Sequence, residues 1–258
     1  MTEPLLQVSG LTRVFGGLVA ANAVDFSVLD GEVVGLIGPN GAGKTTVFNM
    51  IAGSLAPTSG SLRFRGEDYV GTPAHRMAQR GIARTFQITS LFPTLSVLDN
   101  VKLGTHRHKK TGWWGATVFS AAYRREEQEV DDKANAVLGF LGLSDKGARI
   151  AQNLAYGDQR RLEIAIALAA EPVLLLLDEP AAGMNPDEAR RLTETIGRIR
   201  DTGVSVLLVE HHMRVVMGIC DRIIVLNQGN KIAEGTPAVV ANDPTVVSVY
   251  LGRGATGA

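Results

Sequence analysis

The residues best suited to chemistry are Gly38–Thr46 (GPNGAGKTT), which match the phosphate-binding pattern G-x-x-x-x-G-K-[ST]. Glycines in such a loop let successive backbone N–H groups turn towards an anion, and the helix that follows adds its positive N-terminal end. Lys44 brings a positive charge to the β- and γ-phosphates, and the Thr45 hydroxyl can ligate Mg²⁺. The sequence therefore predicts a nucleotide site formed by Gly38, Pro39, Asn40, Gly41, Ala42, Gly43, Lys44, Thr45 and Thr46.

An acid pair, Asp178 and Glu179, directly follows the run Leu174–Leu177. Such a run is typical of a strand buried on both faces, so the pair lies where a buried strand ends. There Asp178 can serve as a ligand to the Mg²⁺ of a phosphate-loop protein. Glu179 can act as general base on a water in line with the γ-phosphate. The alternative is two surface acids at a strand end; two acids between four leucines and Pro180 favour the chemical roles.

Three more polar residues could complete this chemistry. His211 follows the apolar run Val204–Val209 and could bond the γ-phosphate and hold the attacking water. His212 is the competing candidate, and at least one of the two is a solvated loop histidine. Gln87 could complete the shell of the Mg²⁺ and the water, although a lone glutamine predicts nothing by itself. The candidate catalytic residues are thus Glu179, Gln87 and one of His211 and His212, and the candidate metal ligands are Thr45, Gln87 and Asp178.

The elements that must position these residues alternate between strand and helix. Apolar residues in Glu32–Ile37 predict a strand before the phosphate loop, and residues from Thr45 to Ile51 predict a helix after it. Asn185 and Pro186 predict the N-cap and first position of another helix between the two later strands. Buried strands alternating with helices indicate an α/β fold with a largely parallel sheet covered on both faces.

Two segments depart from this alternation. Residues 1–30 and about 60–70 alternate apolar and polar residues, which predicts short antiparallel strands at one edge. Residues 90–155 contain no convincing strand but have helical spacing at Val130, Ala134, Val137, Leu138 and Leu141. The predicted organisation is one domain, 1–258, in which 1–89 and 156–258 form the core and 90–155 form an inserted helical subdomain.

The bulk composition excludes several classes of protein. Lys plus Arg and Asp plus Glu balance at 26 each, which disfavours a protein whose main task is gripping nucleic acid. Cys220 is the one cysteine, so no internal disulfide can form, and its simplest interpretation is a small buried hydrophobe. No apolar run approaches the roughly 18 residues that cross a bilayer. The N-terminus does not read as a signal peptide, so the expectation is a cytosolic protein.

The segment Leu154–Leu162 (LAYGDQRRL) resembles the signature that usually reads LSGGQ in ATP-binding cassette (ABC) transporter nucleotide-binding domains. Together with the phosphate loop and the acid pair, it makes essentially the whole chain resemble that family. The resemblance implies a P-loop NTPase (ABC ATPase) fold that binds ATP and Mg²⁺. It also implies a dimer in which the signature of one subunit closes on the ATP held by the other.

The resemblance assigns further roles. Phe15 would stack on the adenine, Gln87 would couple the phosphates to a partner subunit, and His211 would be the switch histidine because it follows the acidic Glu210. The signature contacts would come from Leu154, Ala155, Tyr156 and Gly157. Ala155 stands where the family has a serine, so the hydroxyl that normally meets the γ-phosphate from across the dimer is missing.

Several departures from the general pattern resemble the branched-chain amino acid importer ATPases. They are the Ala-Tyr-Gly signature, Pro180–Pro186 (PAAGMNP), the Glu-His pair, Met217–Arg222, Ile232–Pro237 and the Tyr-Leu-Gly near the C-terminus. This resemblance implies a second ABC ATPase subunit, two membrane-spanning permease subunits and, indirectly, a periplasmic or extracellular solute-binding protein. It implies no nucleic acid, and it puts the chain at the cytoplasmic face of the inner (cell) membrane without a transmembrane segment.

Two alternative functions and the role of one segment stay open. A lipopolysaccharide-export ATPase shares the terminal Tyr-Leu-Gly but normally has a serine-bearing signature and lacks a long insert. A soluble ABC ATPase acting on ribosomes or DNA would need tandem halves or a coiled-coil insertion, together with a basic surface. The stretch from His106 to Tyr123, with Trp113 and Trp114, is basic and aromatic. It could contact the permease or lipid headgroups, or form a solvated loop whose tryptophans pack on the helical subdomain.

Overall fold

The computed structural model describes residues 3–85, 91–105 and 121–251, without the side chains of 121–123 and 251. The chain divides into two units. The core unit comprises Met1–Met77 and Leu176–Ala258, and the helical unit comprises Ala78–Leu175. The subdomain boundaries expected from the sequence, at 89 and 156, stay a prediction. The described strands are β1 Leu6–Phe15, β2 Leu18–Val28, β3 Val33–Ile37, β4 Ser59–Phe64, β5 Glu67–Asp68, β6 Ile82–Arg84, β7 Leu174–Asp178, β8 Ser205–Val209, β9 Arg222–Asn227 and β10 Asn230–Gly235. The described α-helices are α1 Lys44–Ile51, α2 Ala74–Arg80, α3 Val97–Gly104, α4 Ala121–Phe140, α5 Tyr156–Ala169, α6 Pro186–Asp201, α7 Met213–Ile219, α8 Pro237–Ala241 and α9 Pro244–Leu251.

The central sheet of the core unit is built on strands buried along their whole length. β3 and β8 are buried at every position and run parallel to each other. β9 pairs in parallel with the other side of β3, and β10 adds an antiparallel edge. β7, which enters the core unit at Leu176, lies beyond β8. The predicted strands at Glu32–Ile37, Leu174–Leu177 and Val204–Val209 are therefore confirmed, as is the mostly parallel sheet.

The antiparallel strands make a second sheet in the core unit, in the order β2-β1-β4-β5. Their existence was predicted, but β1 and β2 are not short: they contain 10 and 11 residues. The pair has several register shifts, beginning between Val8 and Leu11. Such bulges locally increase the twist of a long two-stranded ribbon.

The helices that flank the site begin where local sequence signals predicted. α1 starts directly after Gly43, and α6 starts at Pro186 behind an Asn185 N-cap. The Asn185 side chain accepts from the amides of Asp187 and Glu188, and the Glu188 carboxylate accepts from the Asn185 amide, so both halves of a capping box are present. Leu192, Ile196 and Ile199 form the buried face of α6. Cys220 is buried as expected, and burial raises the pKa of its thiol to about 12.

The helical unit is built on the packing of α3, α4 and α5. Ala134, Leu138 and Leu141 from the predicted helical stripe are buried there, whereas Val130 and Val137 are partly exposed. α3 approaches α5 closely at Gly104, where an added Cβ would lie 2.2 Å from the Ile166 carbonyl oxygen. β6 lies beside the start of β7, since the amides of Val173 and Leu174 both bond the Gly81 carbonyl.

Within the described ranges, no helix has the length and hydropathy needed to span a membrane.

Candidate functional site

The phosphate loop lies between the end of β3 and the start of α1. Gly43, the residue before α1, has φ 98°, and a Cβ there would lie 2.2 Å from the Ala20 carbonyl oxygen. Only glycine fits that position without moving backbone. Because Gly43 has no side chain, it cannot cap α1, and the first-turn amides of the helix point towards the loop as an anion site.

Lys44 is the buried cation of this site, with only 6% of its surface exposed. Its Nζ donates to the carbonyl oxygens of Gly38 at 2.8 Å and Pro39 at 3.1 Å. Burial lowers the pKa of Lys44, and the negative charges of Glu179 and Asp178 partly oppose that shift. A buried ammonium held over the loop by neutral carbonyls gains strongly from an added phosphate charge, so these residues fit a nucleoside triphosphate.

A cleft of about 640 Å³ opens over the phosphate loop. Its size suits a nucleotide-sized molecule. Phe15 lies at its rim, 44% exposed, with the Arg13 guanidinium 4.6 Å from the ring centroid. The cleft is lined by the predicted base Glu179 and by most of the predicted nucleotide residues of the core unit, namely Phe15, Asn40, Gly41, Ala42, Gly43, Lys44, Thr45 and Thr46. Gly38 and Pro39 are not among its lining residues, although their carbonyl oxygens accept from Lys44.

The acid pair lies at the end of β7. Asp178 is the last residue of the strand, and Glu179 turns sharply away from it with φ 46°. A glutamate in this left-handed region is strained by about 1–3 kcal/mol and is held there by surrounding structure. Part of that restraint is a hydrogen bond from the Glu179 amide to the Val209 carbonyl, 2.8 Å long. The bend places the half-exposed Glu179 side chain at the cleft.

The two histidines after β8 have different surroundings. His211 Nδ1 lies 3.7 Å from Glu179 Oε1. His212 Nδ1 lies instead 3.1 Å from Glu210 Oε2. The ring that approaches the predicted base is therefore that of His211, and the ring of His212 is engaged by its own neighbour. The assignment of the switch role to His211 stays a prediction.

Some predicted residues lie outside the described part of the chain. Gln87 is one of them, and so are 106–120 with Trp113 and Trp114. The proposed coupling role of Gln87 and both interpretations of the basic, aromatic stretch therefore stay predictions.

The signature segment lies in the helical unit, at the N-terminus of α5. Ala155 is the N-cap and makes no side-chain cap bond, whereas Leu154 and Gly157 are buried. The Tyr156 hydroxyl accepts a 3.1 Å hydrogen bond from Arg160. Asp158, which stands where the family has glutamine, is bonded by Lys146 at 2.5 Å and by Arg161. The segment therefore offers backbone amides at a helix N-terminus, with its acidic side chain neutralised inside its own unit.

Sequence reasoning missed two parts of the core site. Residues 18–20 of β2 and Gln228 line the cleft, although nothing in their types suggested it. In the sequence, Glu210 was used only to identify His211 as the switch histidine. In the structure it is fully buried and accepts hydrogen bonds from the amides of two different loops. A carboxylate at the end of a strand as apolar as β8 was the available signal.

Fold and site together define a phosphate-loop nucleotide-binding protein with an ABC-type signature helix. The sequence profile of the ABC transporter family matches residues 21–182, and that of the branched-chain amino acid ATP-binding cassette transporter family matches residues 230–256. The chain belongs to the ABC transporter ATP-binding family. It is therefore an ATP-binding ATPase subunit, as the resemblance implied.

Individual relatives within this family differ in how similar they are to the chain. The chain is 46% identical to the high-affinity branched-chain amino acid transport ATP-binding protein LivG of Salmonella typhimurium, covering 98% of this chain and all of LivG. Identity to the lipopolysaccharide export ATP-binding protein LptB of Escherichia coli is 35%, over 96% of this chain and 97% of LptB. The crystal structure of MJ1267, an ATP-binding cassette of an ABC transporter in its ADP conformation, matches with a TM-score of 0.86 at 31% identity. The match covers 97% of this chain and 100% of MJ1267.

Proposed function

We propose that this chain is the ATPase subunit of an importer for branched-chain amino acids. The observation that carries the motor role is the cleft of the core unit, which joins the phosphate loop, the buried Lys44 and the bent Glu179. The cargo is supported by the 46% identity to LivG, against 35% to LptB, and by the C-terminal profile over 230–256. The lower identity to LptB leaves lipopolysaccharide export less well supported, and no described feature favours a soluble, non-transport ATPase.

Binding of ATP is the task of the loop and the rim of the cleft. The α1 amides and the Lys44 ammonium hold the β- and γ-phosphates, and Phe15 offers the ring face that Arg13 does not cover to the adenine. Thr45, Asp178 and Gln87 would hold Mg²⁺, which supplies positive charge to the phosphate oxygens.

Hydrolysis depends on two side chains that meet at the edge of the sheet. Glu179 accepts a proton from the attacking water, and its left-handed backbone aims the carboxylate into the cleft. His211, within 3.7 Å of that carboxylate, orients the same water and bonds the γ-phosphate. The distance between these two groups therefore sets how well the water is aligned, which matters because small misplacements cost large factors in rate.

The working unit is a dimer, made with a second copy or with a related ATPase. Leu154, Ala155, Tyr156 and Gly157 of one subunit close on the ATP of the other, with the N-terminal amides of α5 facing the γ-phosphate. Two membrane-spanning permease subunits and a solute-binding protein complete the transporter. The chain works at the cytoplasmic face of the cell membrane, and nucleic acid has no part in its function.

The test is purification of the tagged chain from detergent-solubilised membranes of its own organism, with all co-purifying chains identified. We expect a second ABC ATPase and two polytopic subunits. In reconstituted vesicles, leucine with the cognate binding protein should stimulate ATP hydrolysis, whereas an unrelated amino acid such as lysine should not. Recovery of export components would preserve the ATPase assignment and contradict the import role.

A further inference from the structure

Glu210 is the most thoroughly buried charged side chain near the site, with 0% of its surface exposed. Burying a carboxylate is costly unless several donors replace the lost water. Three backbone N–H groups do so here. Glu210 Oε1 accepts from the Ala181 amide at 2.8 Å, and Oε2 accepts from the amides of His211 at 2.9 Å and His212 at 3.0 Å. The His212 ring also faces this carboxylate, with Nδ1 3.1 Å from Oε2, and donates to it in the tautomer that carries the proton on Nδ1.

These donors belong to two loops that are distant in sequence. Ala181 lies two residues after Glu179, in the loop that follows β7. His211 and His212 directly follow Glu210 in the loop after β8. One oxygen of a single carboxylate holds the first loop and the other oxygen holds the second. The two side chains predicted to orient the water thus lie on either side of this link, 3.7 Å apart.

Metal binding is a different interpretation of the same cluster. The ligand atoms of Glu210, His211 and His212 lie within 4.8 Å of one another, as in some metal sites. However, Glu210 Oε2 already accepts two backbone amides and faces a ring nitrogen, and Oε1 is bonded to Ala181. Oε2, the oxygen that faces the histidines, therefore has its acceptor sites used by the loop, which argues for a positional role.

We propose that Glu210 is a positioning residue that ties the loop of the catalytic base to the loop of the switch histidine. By fixing both backbones, it sets the distance between the Glu179 carboxylate and the His211 ring. The phosphates are held mainly by the Lys44 ammonium and the α1 amides, so loss of the link should slow hydrolysis and leave ATP affinity nearly unchanged. This inference rests on the roles given to Glu179 and His211 under the proposed function.

Glu210→Gln is the sharpest test, because the amide keeps the shape of the side chain but has one acceptor oxygen. That oxygen is best placed where the amides of His211 and His212 converge, which turns the new NH₂ group against the Ala181 amide and breaks only the link to that loop. We expect kcat for ATP hydrolysis by the purified full chain to fall about 10–100-fold, as for a misplaced reacting group. The KM and Kd for ATP should stay within about twofold.

The matched control is Ser205→Ala, at the other end of β8. Ser205 is also 0% exposed, and its hydroxyl accepts from the Gly31 amide at 2.9 Å, far along the strand from the histidines. It loses a buried hydrogen bond of similar kind, so its Tm should fall while kcat stays near wild type. If Glu210→Gln does not fold, Glu210→Asp keeps the charge but is one methylene too short to reach both loops. It should show the same selective loss of kcat.

A double-mutant cycle separates this inference from the proposed function. Glu179→Gln alone tests the base: if it turns over normally, the role of Glu179 is wrong. If its kcat is strongly reduced, adding Glu210→Gln to the Glu179→Gln background should not lower the residual kcat further, because the geometry it disturbs no longer matters. The positioning role is overturned if Glu210→Gln keeps wild-type kcat with only a lower Tm, if kcat and ATP affinity fall together, or if the two losses add.

Discussion

The core unit and the helical unit each present a helix N-terminus suited to an anion, but they treat charge in opposite ways. In the core unit, Lys44 is buried next to the phosphate loop, and its Nζ is bonded by neutral carbonyl oxygens. In the helical unit, Asp158 is paired with Lys146 and Arg160 is paired with Glu163 at 3.0 Å. A charge held by neutral groups can still attract a charged ligand, whereas a charge in an ion pair is already compensated within the protein.

In the proposed dimer, the core unit of one subunit would therefore supply the charged groups that hold ATP, and the signature segment of the other would supply neutral backbone donors. Burial raises the pKa of Glu163 and the Arg160 guanidinium opposes that shift, as expected for an ion pair that serves its own helix. Substitutions of these charged groups in the core unit should therefore change the kcat of hydrolysis or the Kd for ATP by large factors. Substitutions in the signature segment should change the KM for ATP by small ones.

The largest expected effect is that of Glu179→Gln. Removing the general base should lower kcat by about 10²–10⁴-fold, and ATP binding should be retained because the phosphate-holding groups are untouched. The measurements are steady-state hydrolysis and, by size-exclusion chromatography with ATP, accumulation of an ATP-bound dimer. Glu194→Gln, an exposed acid on α6 paired with Arg190, is the control and should behave as wild type. Normal turnover by Glu179→Gln would contradict its role.

Next in size is Lys44→Ala, which should weaken ATP binding itself. Loss of a hydrogen bond to a charged group is worth about 1.5–3 kcal/mol, or about 10–100-fold in Kd. Equilibrium binding of a fluorescent ATP analogue measures it directly. Lys231→Ala, which removes a partly exposed lysine bonded to Glu234, should leave Kd unchanged. A wild-type Kd for Lys44→Ala would mean that the core unit does not hold phosphate through this ammonium.

A third prediction concerns the backbone of the phosphate loop. Gly43→Ala should lower the free energy of unfolding of the nucleotide-free chain by about 2 kcal/mol or more, since φ 98° is combined with a Cβ 2.2 Å from Ala20 oxygen. Gly41→Ala has φ 79° but nothing within 4 Å of its Cβ, so it should cost about 1 kcal/mol. Urea unfolding of both variants separates the steric clash from the strain. Equal losses would show that β2 can move away from the loop.

How far these features could be predicted depends on how local their causes are. The Gly38–Thr46 motif, the strand before it and the Asn185–Pro186 helix start are encoded within a few residues, and all three were predicted. The left-handed turn at Glu179 and the link from Glu210 to Ala181 depend on loops 29 residues apart in sequence. No single-sequence pattern reports such a contact. The lengths of β1 and β2 were missed for the same reason, since their pairing, and not their composition, sets where they end.

The smallest expected effect comes from Ala155→Ser, which restores the hydroxyl missing from the signature segment. As an N-cap, serine should stabilise α5 and raise the free energy of unfolding by about 0.5–2 kcal/mol. If the hydroxyl also meets the ATP of the partner subunit, KM for ATP should fall by about 2–10-fold, the value of one neutral hydrogen bond.

Ala155→Gly separates the two contributions, because glycine is also a better N-cap than alanine but carries no hydroxyl. It should raise stability, by less than serine or about as much, and leave KM at the wild-type value. If serine and glycine lower KM equally, the hydroxyl makes no contact with ATP. The helical unit would then act through the backbone amides of α5 alone, which is the sharpest form of the difference between the two units.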